Sequence, residues 1–469
     1  MGKYYLAVDI GASSGRHILG HLENGKIELE EIYRFENGMD HKDGKLLWNV
    51  DRLFGEILNG MKKCKEQGKI PVSMAIDTWA VDYVLLDEKD RILGDTYGYR
   101  DHRTDGMDAE VAKILPETEL YAKTGIQKQI FNTIYQLMAE KQKEPELLQR
   151  AETLLMLPDY FGFRLTGNKL SEYTNGSTTQ LVNPTTFQWD TDLIRKLGYP
   201  EDIFLPLQMP GTKVGQLLPE IQKEVGFNLE VVLCGSHDTA SAVMAVPQTE
   251  GDGIYISSGT WSLMGIESLK PIINKDAAAA NFTNEGGYDH RFRFLKNIMG
   301  LWMIQSVRHE YNDAYSFAQL CEMAEDSRDF PSRVDVNDPS FLSPDSMVEA
   351  IKKYCQKTGQ PVPESVGELA SVVYRSLAQS YGETVSGLEK IAGRTYDGIH
   401  IIGGGSNAAY LNQLTADATG KTVYAGPGEA TAIGNLLAQM IHAGDLADLK
   451  GARQYVRDSF EIKTYVPAD

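Results

Sequence analysis

The stretch Val231-Val-Leu-Cys-Gly-Ser-His-Asp-Thr-Ala-Ser-Ala242 joins an apolar run to a group of polar side chains. Such a run is typical of a buried strand in a parallel sheet, and ligands of open α/β sheets bind beyond the carboxyl ends of the strands. The sequence therefore predicts a strand, then a helix from Thr239, with His237 and Asp238 at the edge of a crevice. Asp238 can accept a proton there, or it can simply cap the helix, as aspartate commonly does.

The length of the chain predicts more than one domain. Its 469 residues exceed what one hydrophobic core usually supports, so we expect two large domains. The segment Val246–Gly253 is rich in residues that interrupt regular structure, and we place the boundary there. This gives an N-terminal domain at 1–246, a C-terminal domain at 252–445 and a tail at 446–469.

Composition excludes several classes of function. The formal net charge of −19 argues against a general affinity for nucleic acid or anionic membranes, because both require a basic surface. The four cysteines lack C-x-x-C spacing, so neither a zinc site nor a disulfide framework is indicated. The first residues lack the apolar core of a signal peptide and no stretch reaches transmembrane length, so we expect a cytoplasmic protein.

The N-terminal segment resembles a site for phosphate. An apolar strand, Tyr4–Asp9, leads into the small-residue turn Ile10-Gly-Ala-Ser-Ser-Gly-Arg16 before a second strand. Backbone N–H groups in such a turn can approach phosphate oxygens, and Ser13, Ser14 and Arg16 add donors. Asp9 at the strand end is placed to order the water shell of a magnesium ion. An ordinary β-turn is the alternative interpretation.

One later segment repeats this pattern, and another offers bare backbone in a different way. Ile254-Tyr-Ile-Ser-Ser-Gly-Thr-Trp-Ser-Leu-Met-Gly265 again sends an apolar strand into a Ser-Ser-Gly turn and out into another strand. The repetition suggests an internal duplication, with a nucleotide held between two similar domains. The strand Gly398–Ile402 ends in three glycines before a predicted helix from Ala408 to Gly420, which would bring bare backbone against the nucleotide.

Other polar residues have two interpretations. Asp77, Trp79 and Asp82 could face a polyol, because carboxylates accept hydroxyl protons and an indole covers the apolar face of a sugar. Alternatively, Trp79 belongs to the core and Asp82 to a strand edge. Further on, Asn284–Gly287 is predicted to be a loop, and Leu295–Gln305 a helix that carries Asn297 and Gln305 as polar exceptions.

These features together resemble the FGGY carbohydrate kinases of the actin-like ATPase superfamily, over nearly the whole chain. The motifs that carry the resemblance are Asp9–Arg16, Ile76–Trp79, Pro158–Phe161, Gly235–Val243, Ser257–Met264, Thr283–Gly287 and Leu295–Trp302. The resemblance implies an α/β fold with two duplicated actin-like (ribonuclease H-like) ATPase domains and a cleft for nucleotide and sugar between them.

The resemblance also implies an activity. It is the ATP-dependent phosphorylation of the 1-hydroxyl of L-rhamnulose, with magnesium as the metal and Asp238 as the general base. Ala12, Ser13, Ser14, Gly15, Arg16, Thr260, Gln305 and Gly404 would surround ATP, while Ala80, His237, Asp238 and Asn297 would meet the sugar. The family commonly has glycine where this chain has Ala80. Kinases for L-fuculose or D-xylulose, and an actin-like ATPase that acts on no sugar, are the alternatives.

Overall fold

The computed structural model describes residues 2–248, 253–342 and 344–468. The chain forms two compact units. Unit 1 comprises Met1–Ala245, Glu267–Phe294 and Thr431–Ser459, and unit 2 comprises Val246–Ile266, Leu295–Ala430 and Phe460–Asp469. Half of the expected boundary, at 249–252, lies outside the described residues. Because each unit draws on separate stretches of chain, the division at 1–246, 252–445 and 446–469 stays a prediction.

The described chain contains both strands and helices. The strands are β1 Tyr4–Ile10, β2 Ser14–Glu23, β3 Lys26–Glu36, β4 Asp40–Lys42, β5 Lys45–Leu47, β6 Pro71–Thr78, β7 Tyr83–Leu86, β8 Ile92–Leu93, β9 Thr153–Met156, β10 Ser171–Glu172, β11 Val182–Asn183, β12 Gln188–Trp189, β13 Leu207–Gln208, β14 Lys213–Gln216, β15 Glu230–Val232, β16 Ile254–Ser258, β17 Trp261–Ser268, β18 Thr283–Gly286, β19 Phe292–Met299, β20 Gly398–Ile402, β21 Thr422–Ala425 and β22 Lys463–Tyr465. The helices are α1 Val50–Glu66, α2 Met107–Ile114, α3 Glu117–Thr124, α4 Thr133–Lys143, α5 Pro145–Arg150, α6 Leu157–Thr166, α7 Tyr173–Ser177, α8 Thr191–Leu197, α9 Pro219–Val225, α10 Asp238–Met244, α11 Lys275–Ala279, α12 Trp302–Glu310, α13 Phe317–Asp326, α14 Met347–Lys357, α15 Val366–Ala392, α16 Ala409–Thr419, α17 Ala430–His442 and α18 Leu449–Ser459.

The main sheet of unit 1 has the strand order β14-β15-β6-β1-β2-β3. Strands β1, β6 and β15 are parallel to one another, whereas β2, β3 and β14 are antiparallel to their neighbours. The parallel strands read as apolar runs because helices such as α1 and α6 cover them, and residues of both helices join the core around β1 and β6. The carboxyl ends of the three parallel strands consequently lie side by side.

The same topology occurs in unit 2, where strands run in the order β17-β16-β20-β21-β22. Here too a hairpin, β16–β17, is followed by two parallel strands and an antiparallel one at the end. In unit 1 the corresponding strands are β2-β1-β6-β15-β14. The matching order and direction of five strands confirm the duplication that the two Ser-Ser-Gly turns indicate.

Several local predictions are confirmed. β15 and α10 have the predicted order, and α16 ends at Gly420, whose φ of 64° places it in the left-handed region. The sequence Pro363-Glu-Ser-Val-Gly-Glu368 also predicts a helix that starts with a capping box, and α15 begins with one, in which Ser365 and Glu368 satisfy each other's backbone N–H groups.

Three local predictions are wrong. Leu295–Met299 belongs to the strand β19, not to a helix, and Asn284 lies in the strand β18, not in a loop. Strands buried on both faces carry no alternation that would distinguish them from a helix, which explains the first error. The N-terminal turn is also shorter than predicted, since β2 already begins at Ser14.

Helix α17 is held to the sheet of unit 1 by buried amides. Gln439 donates to the Leu6 carbonyl (3.0 Å) and accepts from the Ser73 hydroxyl (2.7 Å). Asn435 donates to the carboxylate of Asp77 (2.6 Å). The residue before Asn435, Gly434, passes so close to α10 that a Cβ atom there would lie 1.7 Å from the carbonyl oxygen of Ser241. The contact therefore requires glycine.

No helix among the described residues is long and apolar enough to cross a membrane.

Gly434→Ala should destabilise the protein by at least about 1–3 kcal/mol, because either α17 or the backbone of α10 must move. Urea unfolding followed by tryptophan fluorescence measures the change. Gly387→Ala is the matched control: Gly387 lies inside α15 with open space at its Cβ position, so alanine there should stabilise by roughly 0.5–1 kcal/mol. Equal stability of the two variants would contradict this description of the α17–α10 contact.

Candidate functional site

The carboxyl edge of the unit 1 sheet collects most of the polar residues predicted to be functional. Asp9 lies near the end of β1, Asp77 near the end of β6 and Asp238 just beyond β15. Pairing continues past β15, because the Thr78 N–H donates to the Ser236 carbonyl (2.9 Å) and Thr78 forms a bridge with His237. The sheet itself therefore carries His237 and Asp238 to this edge.

Asp238 occupies the first position of α10, and His237 is the N-cap residue, although its side chain makes no capping bond. The Oδ1 atom of Asp238 accepts from the Thr239 N–H (2.6 Å) and hydroxyl (3.1 Å), and it lies 3.4 Å from Nε2 of His237. About 34% of the side chain is exposed. Burial raises the pKa of Asp238, and Asp9 adds to the rise, while His237 and Thr239 oppose it.

The three carboxylates at this edge interact electrostatically. Burial raises the pKa of Asp77 well above its usual range, and Asp9 and Asp238 raise it further, against the hydrogen bond from Asn435. Oδ1 of Asp77 is buried with no hydrogen-bond partner among the described residues. Arg16 pairs with Asp9 at 2.6 Å. This excess of negative charge fits a cation held through water and phosphate, as magnesium usually is. In the described part of the chain, no three acidic, histidine or cysteine side chains form a closed metal site.

The small-residue loop at this edge is a tight hairpin connection. Ala12 and Ser13 form its tip, and Ser14, Gly15 and Arg16 already belong to β2. The Gly11 N–H donates to the Ser14 carbonyl, which closes the turn. Gly15 is required for packing, because a Cβ atom there would lie 2.1 Å from the ring of Phe35. The exposed Ser13 is therefore the residue of this loop that is best placed to meet a ligand.

Ala80 lies at the end of β6, on a strained turn. Val81 has a φ of 67°, and the Asp82 N–H donates to the Ala80 carbonyl (2.9 Å), which is the pattern of a γ-turn. A positive φ is rare for a β-branched residue, and such strain is usually found at functional sites. Thr133 holds the turn by donating its hydroxyl to the Val81 carbonyl (2.7 Å). Ala80, which is half-buried, is thus presented by a fixed backbone.

Asp82 and Trp79 belong to the support of this turn. Oδ2 of Asp82 accepts from the indole N–H groups of Trp48 (2.6 Å) and Trp79 (2.9 Å), while Oδ1 accepts from Gln136 (3.0 Å). Both residues are buried, and burial raises the pKa of Asp82 to about 6 against these donors. Trp79 therefore belongs to the core, as one interpretation had it, whereas Asp82 is buried under its donors and neither solvates a strand edge nor is free to contact a polyol.

A buried glutamate that no sequence motif indicates lies beside Ser236, next to His237. Glu172 is fully buried and accepts from the backbone N–H groups of Thr174 and Asn175. It also accepts from the N–H and hydroxyl of Ser236 (3.2 and 2.5 Å). Glu172, about sixty positions earlier in the chain, thereby fixes Ser236 within the stretch Val231–Ala242. Only its acidic character within a Ser/Thr-rich run distinguishes Glu172 in the sequence.

The candidate nucleotide residues of unit 2 lie around the carboxyl ends of β16 and β20. Thr260 is exposed at the tip of the β16–β17 hairpin, and its carbonyl accepts from the Trp302 N–H (3.1 Å) at the start of α12. Gln305 follows one turn later on that helix. Gly404 is exposed beyond β20, with open space at its Cβ position. The next glycine, Gly405, packs on Ser258 at the end of β16, so the two loops are in contact.

Asn297 lies on β19, near the end of that strand. Its side-chain oxygen is buried without a hydrogen-bond partner among the described residues. A buried polar atom without a partner costs free energy, so this amide is a candidate for ligand contact.

The predicted site residues form two groups, one in each unit. The group in unit 1 contains Asp9, the hairpin tip, Ala80, His237 and Asp238, and the group in unit 2 contains Thr260, Asn297, Gln305 and Gly404.

Comparison with solved structures identifies the fold. The xylulose kinase of Lactobacillus acidophilus, solved with ligand bound, superposes with a TM-score of 0.80 at 17% identity, covering 99% of this chain and 94% of that one. The glycerol kinase of Plasmodium falciparum, solved with ADP, gives a TM-score of 0.77 at 14% identity, covering 98% and 94%. At these identities the likeness concerns the fold alone.

Sequence comparison identifies the family of the chain. A protein of Halalkalibacterium halodurans named rhamnulokinase is 54% identical over 467 residues, which cover 100% of this chain and 99% of that protein. The rhamnulokinase of Bacillus subtilis is 47% identical, covering 99% and 96%. The N-terminal domain of the FGGY family of carbohydrate kinases matches residues 4–245, and its C-terminal domain matches 254–443. The chain therefore belongs to the FGGY family of carbohydrate kinases.

Proposed function

We propose that this chain is a rhamnulokinase, which transfers the terminal phosphoryl group of ATP to the 1-hydroxyl of L-rhamnulose and releases L-rhamnulose 1-phosphate and ADP. The observation that carries the reaction type is the position of Asp238 at the carboxyl edge of the unit 1 sheet. The identity of the sugar rests on the names of the full-length relatives. Since the reaction consumes ATP, we place it in the cytoplasm.

Asp238 is proposed as the general base. Its Oδ1 atom is engaged by Thr239, and no hydrogen bond to Oδ2 is found among the described residues. A carboxylate with one fixed and one available oxygen can accept the proton of a hydroxyl as that oxygen attacks phosphorus. The reaction otherwise needs mainly alignment and neutralisation of charge, so one positioned base is sufficient protein chemistry.

The phosphate chain of ATP is proposed to contact the hairpin tip at Ala12 and Ser13, with Ser14, Gly15 and Arg16 behind it. Thr260, Gln305 and Gly404 are proposed to contact the rest of the nucleotide. Asp9 is proposed to hold magnesium through water, which is supported by the position of three acidic side chains, Asp9, Asp77 and Asp238, at one edge of the sheet, where Arg16 pairs with Asp9 alone. A bound magnesium ion would neutralise charge on the phosphates during transfer.

The sugar is proposed to contact His237, Asp238, Asn297 and the backbone at Ala80. The buried, unpartnered oxygen of Asn297 supports a hydroxyl contact. The strained turn at Val81 supports a rigid contact at Ala80, because its geometry is fixed before any ligand binds. The ranges matched by the two family domains support the proposed division at 1–246 and 252–445, with 446–469 as a tail.

The sugar assignment is tested by coupled ADP release with a panel of ketoses. L-rhamnulose should be turned over best, ahead of L-fuculose and D-xylulose. Each hydroxyl that a polar site fails to pair costs roughly 1–3 kcal/mol, so kcat/KM should differ by at least about tenfold between epimers. Equal use of D-xylulose would contradict the assignment, and ADP release that no ketose accelerates would contradict the kinase proposal itself.

Asp238→Asn should lower kcat by about 10²–10⁴-fold, because the shape is retained and the proton acceptor is lost. Binding of ATP and ketose, measured by calorimetry, should change little. Since burial raises the pKa of Asp238, the wild-type acid limb of kcat/KM should lie above the usual range for an aspartate and should disappear in the variant. The control is Asp192→Asn, the same change on a side chain that is 83% exposed. Near-normal turnover by Asp238→Asn would contradict the proposed base and would show that Asp238 only stabilises the start of α10.

Gly404→Leu should raise the KM for ATP by roughly tenfold or more and leave the KM for ketose nearly unchanged. The position is open in the protein itself, so a side chain there would obstruct a ligand without disturbing the fold. Gly387→Leu, at another open glycine of unit 2, is the control and should alter neither KM. Equal effects of Gly404→Leu on both substrates would remove this residue from the proposed nucleotide site.

A further inference from the structure

The arginine behind His237 is almost entirely enclosed by protein. Arg293, on β19, has 0% relative exposure and is the largest fully buried side chain among the described residues. Its Nε donates to the Gly286 carbonyl (2.8 Å), and its Nη2 lies 3.1 Å from the carboxylate of Glu285. The same Nη2 atom lies 3.0 Å from Nδ1 of His237. All of these residues belong to unit 1.

The enclosure of this charge requires an explanation. Burying a guanidinium costs several kcal/mol unless it is paired and hydrogen-bonded, and a buried apolar residue would avoid that cost. Glu285 supplies the opposite charge: burial opposes ionisation of this carboxylate, but Arg293 outweighs burial and holds the pKa of Glu285 below the usual value. Arg293 and Glu285 are therefore both charged, and the guanidinium of Arg293 contacts His237 in the candidate site.

Arginine has only donors, whereas each ring nitrogen of a neutral histidine is either a donor or an acceptor. If Arg293 donates to Nδ1, that nitrogen carries no hydrogen, and the ring proton must be on Nε2. Nε2 lies 3.4 Å from Oδ1 of Asp238, so this tautomer directs an N–H group towards the proposed base. The opposite tautomer would place a lone pair against the carboxylate.

We propose that Arg293, balanced by Glu285, is a positioning residue that fixes His237 in its Nε2–H tautomer and thereby orients Asp238 for proton transfer. With the Nε2–H group and both donors of Thr239 facing Oδ1, Oδ2 is the oxygen left to receive the hydroxyl proton. The catalytic part of this inference rests on the proposed function. The tautomer itself rests on the geometry of His237, Glu285 and Arg293.

One competing arrangement is clearly defined. Oε2 of Glu285 lies 3.4 Å from the same Nδ1 atom, and a proton on Nδ1 could be donated to it. The guanidinium is closer, at 3.0 Å, and a hydrogen on Nδ1 would meet its N–H group. The shorter contact therefore favours the tautomer with the proton on Nε2.

The tautomer is measured by two-bond ¹H–¹⁵N correlation spectra of protein labelled with ¹⁵N-histidine, at neutral pH and without substrate. The chain has 9 histidines, and a His237→Gln variant identifies the signals of His237. The wild-type protein should show Nε2 protonated and Nδ1 unprotonated. A proton on Nδ1 would overturn the proposal whatever the variants do.

Arg293→Met removes the donor while filling similar space. The proton of His237 should then shift towards Nδ1, where Glu285 can accept it, and kcat/KM for the ketose should fall roughly tenfold to a hundredfold, as expected for a misplaced catalytic group. The KM for ATP should change little. Arg293→Lys retains a cationic group with N–H donors and should keep the Nε2–H tautomer and much of the activity, which a residue needed only for packing would not explain.

Arg291→Met is the matched control, because that arginine lies two positions away and is 27% exposed, in an ion pair with Asp289. It should leave both the spectrum and the kinetics unchanged.

If Arg293→Met does not fold, Arg293→Met/Glu285→Gln removes the unpaired buried carboxylate and should show the same loss of the Nε2–H tautomer. An unchanged tautomer with unchanged kcat/KM in a folded Arg293 variant would overturn the proposal. Absence of ketose turnover in the wild-type protein would instead refute the proposed function, and the spectrum would still decide the tautomer.

Discussion

The parallel pairing of β1, β6 and β15 is the constraint on which the candidate site depends. It places the carboxylates of Asp9, Asp77 and Asp238 at one edge of one sheet, in a largely buried environment. Burial first, and the neighbouring like charges in addition, oppose ionisation and raise the pKa values of Asp77 and Asp238. Several other polar side chains of unit 1 form hydrogen bonds or ion pairs with groups at this edge.

The groups that stabilise this edge come from the neighbouring strand and from distant parts of the chain. Asn435 on α17 satisfies one oxygen of Asp77, Arg16 pairs with Asp9, and Glu172 fixes the backbone at Ser236. Each is buried or partly buried and makes specific hydrogen bonds, as buried polar groups must. Asn435 and Gln439 of α17 bind residues of β1 and β6. The C-terminal segment of unit 1 therefore contributes to a site that is built mainly from the N-terminal segment.

Much of this organisation could be predicted from the sequence. Asp238 at the end of an apolar run, the two Ser-Ser-Gly hairpins and the capping box at Ser365 all follow from local rules that the structure obeys. The strand that carries Asn297 could not be predicted, because a strand buried on both faces has the apolar content of a helix. Residues such as Glu172 and Arg293 could not be predicted either, since their importance comes only from partners far along the chain. Asp82 was ambiguous until its four donors were known.

In the proposed mechanism, Oδ2 of Asp238 receives the proton of the sugar's 1-hydroxyl. The most direct test is a crystal structure with L-rhamnulose and a non-hydrolysable ATP analogue. We expect the 1-hydroxyl oxygen to lie roughly 2.6–3.2 Å from Oδ2, while Oδ1 keeps its contacts with Thr239 and His237. A sugar bound with its 1-hydroxyl on another side chain, and with Asp238 directed away from it, would contradict this mechanism.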